Sequence, residues 1–66
     1  MKAKFNPVAI WGDQAISSRK SATRHFADAL TATHPVERVA LMSLAEAHEQ
    51  YADVCEQRVA EYAGKN

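Results

Sequence analysis

The sequence predicts an all-α protein, a two-helix antiparallel hairpin with an extended N-terminal arm that oligomerises into a helical bundle. Three observations predict it. Apolar residues recur at spacings of 3 and 4 through most of the chain, the repeat of a helix face. One short break, Thr31 to Pro35, divides two long periodic stretches, and so short a link joins antiparallel neighbours. The chain has 66 residues, too few for a large core of its own, so self-association supplies the missing stability.

The chain is a single domain, 1–66, with an arm over 1–12. Asn6-Pro7 and Trp11-Gly12 read as an ordered segment without regular structure, because Pro7 lacks a donor and Gly12 permits positive φ. Asp13 is then the expected N-cap. Helix 1 is predicted from about 14 to 32, with Ile16, Thr23, Phe26 and Leu30 on its inner face and Ala22, Ala27 and Ala29 beside them. Helix 2 is predicted from about 35 to 63. Pro35 suits its first position, Glu37 complements the dipole in its first turn, and Gly64 ends it. Leu41, Leu44, His48, Tyr51, Cys55, Arg58 and Tyr62 form a heptad-like seam along it, and a second face carries Val36, Val39, Ala40, Ala47, Val54 and Ala60. Two apolar faces on one helix imply more than one partner helix.

Composition excludes several classes. The single cysteine, Cys55, leaves no intrachain disulfide and fits a reducing cytoplasm. The N-terminal apolar run is too short and too interrupted for a signal peptide, and no stretch approaches a membrane span. His25, His34 and His48 lack the spacing of a metal-binding helix, so no metal and no cofactor is expected. His48 and Cys55 are too far apart along one helix for proton transfer, and with only Gly12 and Gly64 there is no phosphate-cradling loop. No catalytic residue is assigned, and the chain is not read as an enzyme.

A binding set remains. Net charge is zero, but residues 1–33 carry five cations against two carboxylates and residues 34–66 carry three against six. The two halves can attract each other within a hairpin or across a dimer, or the basic half can present a surface to phosphates. Trp11 on the arm either caps the core or stacks on a base. Arg19, Lys20 and Arg24 are either a solvated face or phosphate contacts. Arg58 holds a seam position that calls for an acid or a ligand anion, with Tyr51 two turns away on the same face.

At this point the chain resembles a family. Phe5, Gly12-Asp13-Gln14, a basic helix, a Pro-x-Glu turn at Pro35 to Glu37, and then Leu41-Met42-Ser43, Glu46, Tyr51-Ala52 and Arg58 follow the order found in the helical hairpin domain of phage sponge proteins that counter the CBASS and Thoeris defences. Tyr51 stands where that family favours tryptophan, Asp53 where it favours asparagine, and helix 1 is about two residues shorter. The resemblance implies a viral, non-catalytic homo-oligomer, a dimer or larger, that sequesters a small anionic nucleotide such as a cyclic oligonucleotide or a cyclic ADP-ribose isomer. Trp11, Arg19, Arg24, Tyr51 and Arg58 would bind it. Two alternatives stand beside this. One is a dimeric adaptor that masks a host protein. The other is an RNA-binding hairpin dimer using Lys20, Arg24 and Phe26.

Overall fold

The computed structural model describes residues 6–64. Two helices, α1 (Pro7–Thr31) and α2 (Pro35–Ala63), pack against each other as a hairpin.

The first turn of α1 corrects the predicted boundary. Asn6 is the N-cap, with an extended backbone, and its Oδ1 accepts the Ala9 amide at 3.2 Å. Pro7 takes the first helical position, where a missing amide proton costs nothing and φ is already helical. Asn-Pro is therefore a helix start here rather than a break. Residues 7–12 of the expected arm are helical, and residues 1–5 lie outside the described residues. Asp13 is an exposed residue inside the helix, not its cap. Gly12 is helical as well, and no described residue has positive φ.

The C-terminal end of α1 and the whole of α2 follow the expectation closely. Ala32 caps α1, donating its amide to the Asp28 carbonyl at 3.0 Å. Arg38 reaches back across the turn, and its Nη2 donates to the Ala32 carbonyl at 2.9 Å. Pro35 opens α2 with Glu37 in its first turn, and Gly64 closes it in a right-handed conformation, φ −73°.

The seam between the helices is made of small side chains. On α1 the buried residues are Ala15, Ser18, Ala22 and Ala29, so three alanines recur every seven residues. On α2 they are Ala45, Ala52 and Cys55, with Leu41, His48 and Val59 half-buried between them. The seam thus reads 41, 45, 48, 52, 55 and 59, a heptad pattern that keeps Leu41, His48 and Cys55 of the predicted seam and takes Ala45, Ala52 and Val59 in place of Leu44, Tyr51 and Arg58. Cys55 is the largest fully buried side chain among the described residues. Alanines let two helices lie close, because interaxial distance follows side-chain size at the contact. They bury little area in exchange, about 0.8 kcal/mol per methyl-sized group against about 1.5–3 kcal/mol for a leucine or valine.

The predicted inner faces therefore need correction. Ile16 is 57% exposed and Leu30 85%, Thr23 is exposed, and only Phe26 of that set is half-buried. On α2, Leu44 is 47% exposed, and Tyr51, Arg58 and Tyr62 lie outside the seam with it. Large apolar residues mark a core face only when they are the ones that pack. Here full burial belongs to the small residues, and Ile16, Leu30 and Leu44 are exposed.

The result is elongated, 51 × 25 × 12 Å, with a radius of gyration of 15.5 Å. A compact chain of 66 residues would have one near 11 Å.

Candidate functional site

The structure separates the five candidate residues into four places. Trp11 lies in the second turn of α1 and is half-buried. Its neighbour Gly12 faces α2, where an added Cβ would sit 4.0 Å from the Val59 Cγ2. Trp11 is thus part of a helix rather than an aromatic on an arm.

Arg19 reaches across to α2. Its Nη2 donates to Asp53 Oδ1 at 3.0 Å and to Glu56 Oε1 at 2.8 Å, and its Nε donates to Glu56 Oε2 at 3.1 Å. Two bonds to one carboxylate form a bidentate fork, the strongest geometry an arginine offers. The hydrogen bonds to Glu56, then those to Asp53, raise the guanidinium well above its ordinary range. The opposite charges of the two halves thus meet inside the hairpin at this residue. A guanidinium held by two carboxylates is not a free phosphate ligand.

Arg24, five residues on, lies about 140° further round α1. It is exposed and makes no ion pair among the described residues. Arg19 and Arg24 therefore do not converge on one ligand.

Tyr51 and Arg58 do share a face. They are seven residues apart on the flank of α2 beside the seam, and both are exposed. Arg58 Nη1 donates to Glu61 Oε1 at 3.1 Å, a pair within its own helix. Cys55 lies one turn on from Tyr51, and its side chain, together with desolvation, holds the phenol above its ordinary range. Val36, Leu44, Val54 and Tyr62 continue the same flank at helical spacing, with Ala40 and Ala47 between them, and all are exposed. Arg58 is the single charged group in this run. The flank is a stripe about 39 Å long with that one charge, at 1.5 Å per residue from Val36 to Tyr62.

The stripe was only half legible in the sequence. Its alanines and valines were placed on a second face, while its tyrosines, Leu44 and Arg58 were assigned to the inner seam. With Ala45, Ala52 and Val59 in the seam in place of Leu44, Tyr51 and Arg58, these three move together to the flank.

Two clefts lie near the turn, and a histidine pair lies between the helices. A cleft of about 440 Å³ is lined by Ala29, Leu30, Arg38 and Met42, and one of about 400 Å³ by Pro35, Val36, Val39 and Ala40. His25 and His48 stack across the seam, with ring centroids 5.1 Å apart and planes inclined by 19°. The buried Nδ1 of His25 has no hydrogen-bond partner. Among the described residues no three His, Cys, Asp or Glu side chains gather to hold a metal, and no helix is long and apolar enough to cross a membrane.

No family model, curated protein or solved structure matches the chain, so the geometry of the hairpin itself carries the functional reading.

Proposed function

We propose that the chain is a non-catalytic, self-associating binding protein that works as an assembly of hairpins. One observation carries this reading: the buried residues are alanines, one serine and one cysteine, while Ile16, Leu30, Val36, Val39, Leu44 and Val54 are exposed. A hairpin built this way keeps its larger apolar groups for partners. Large contiguous apolar surface is a mark of an interaction face. Sedimentation velocity at micromolar concentration tests it. A dimer or larger species supports the reading, and a folded monomer at every concentration overturns it.

A second reading, capture of a small anionic nucleotide by such an assembly, is favoured by a specific observation. Tyr51 and Arg58 lie on one exposed face, an aromatic ring with a guanidinium two turns away. In this reading the tyrosine stacks on a base, Arg58 and the exposed Arg24 meet phosphates, and the nucleotide is sequestered intact in the cytoplasm of an infected host cell. Arg19, held by Asp53 and Glu56, takes no part in it. Calorimetry with cyclic dinucleotides, cyclic trinucleotides and cyclic ADP-ribose isomers tests this. Binding lost in Arg58→Ala and recovery of unchanged ligand support it. No binding by any of them removes it and leaves the first reading in place.

A further inference from the structure

We propose that a second copy of this chain packs antiparallel on the α2 flank, with Leu44 facing the partner subunit's Val54. This rests on the self-association proposed above and adds its surface, direction and register; it covers Tyr51 and Arg58 and so stands against the nucleotide reading.

The surface is argued from area. The accessible surface is 5187 Å², whereas a compact chain of 7.3 kDa exposes about 4,200 Å². The excess of about 1,000 Å² is close to the roughly 800 Å² per partner that a stable interface buries. The α2 stripe, with Arg58 its single charge, is the long surface that can take it, and Tyr51 and Cys55, one turn apart, join it to the seam at mid-helix.

The direction is argued from charge. Arg58 is the single charge on the stripe, and its carboxylate partner, Glu61, belongs to its own helix and lies outside the stripe, so nothing in the stripe of a second copy pairs with it. In a parallel pair in register, the two Arg58 guanidiniums face each other. In the antiparallel pair each Arg58 faces Ala40. The two arginines then sit 18 residues apart along the helix axis, about 27 Å. That is beyond the Debye length of about 8 Å at physiological salt.

The register is argued from size. With Leu44 opposite Val54, every position of the stripe finds a counterpart: Val36 opposite Tyr62, Ala40 opposite Arg58 and Ala47 opposite Tyr51. Each alanine meets a long side chain. Sliding by half a heptad one way sets Ala47 on Ala47 and leaves Tyr62 facing the turn. Sliding the other way sets Tyr51 on Tyr51 and carries Val36 past the end of the partner helix.

Site-directed cross-linking tests this. Cys55→Ser removes the native thiol, and Leu44→Cys and Val54→Cys are made separately in that background. Each variant is first checked for helicity and for its state by sedimentation, then treated alone and mixed with a short thiol-to-thiol cross-linker. The expected result is a covalent dimer from the mixture and little from either variant alone, because like positions lie ten residues apart, about 15 Å. Ala40→Cys mixed with Arg58→Cys should behave the same way, and serves where a core-adjacent substitution unfolds the first pair. Cross-linking of each variant with itself but not in mixture would overturn the antiparallel direction. An associated protein that cross-links at neither pair would overturn the surface. A monomer by sedimentation in the Cys55→Ser background and in the native chain would overturn the self-association beneath it.

Discussion

Replacing Gly12 by alanine should stabilise the protein, and the size of the effect follows from two features of the site. Gly12 lies in the interior of α1 with right-handed backbone, so it carries the full propensity deficit of glycine, about 1 kcal/mol relative to alanine. The space beyond it is open enough: an added Cβ would stand 4.0 Å from Val59 Cγ2, an ordinary van der Waals distance that forces nothing to move. The added methyl gains contact with α2 besides. For a domain of this size, about 1 kcal/mol raises the melting midpoint by about 4–8 °C. Thermal unfolding followed by circular dichroism at 222 nm, at matched protein concentration, reads the shift. The alternative has the opposite sign. If residues 7–12 formed an arm with Gly12 in a left-handed conformation, alanine there would be strained and would lower the midpoint. A fall in the midpoint, or no change in it, would refute the placement of this turn.

Other substitutions probe other parts of the argument. Ala52→Leu should destabilise by about 1–3 kcal/mol, because Ala52 is fully buried in a seam closed by alanines and added methylenes must force the helices apart; chemical denaturation measures it. Arg19→Met should lower the melting midpoint at low salt, and the difference from the native chain should shrink at 1 M salt, where screening falls to about 3 Å. The Tyr51 phenol should titrate above the ordinary value of about 10, and return toward it in Cys55→Ala, when followed by ultraviolet absorbance. Because the folded state raises that pKa, the contribution to stability is complete below the ordinary value and declines as pH rises through the folded one. Tyr51→Phe should remove this part of the alkaline dependence.

The parts of the fold that the sequence made legible are those carried by special residues. Pro35 and Gly64 mark the ends of α2, and the helix runs between them as expected. Asn6-Pro7 was ambiguous because the same pair breaks a chain or starts a helix, and the outcome depends on whether the Asn6 side chain reaches the Ala9 amide. Leu41, His48 and Cys55 of the α2 seam are legible, and Ala45 and Ala52 between them are not, because alanine carries no size signal. A pattern search weighs Ile16, Leu30 and Leu44 most, and these are the residues left outside. The role of Arg19 was hidden for another reason. Its partners are 34 and 37 residues away in sequence, and only the register of the hairpin brings them together. Tyr51 and Arg58 were correctly placed on one face, since a seven-residue spacing survives an error in seam register.

The central claim is that the hairpin owes its stability to other copies of itself. The concentration dependence of its melting temperature tests this most directly. An assembly that folds only as it associates gains about 2.7 kcal/mol over a hundredfold rise in concentration, of order 10 °C in the midpoint. The account predicts a single transition that climbs with concentration, and that Leu44→Glu, a charge placed in the middle of the α2 stripe, lowers. A midpoint that stays fixed over the same range, in a chain that sediments as a folded monomer, would contradict it.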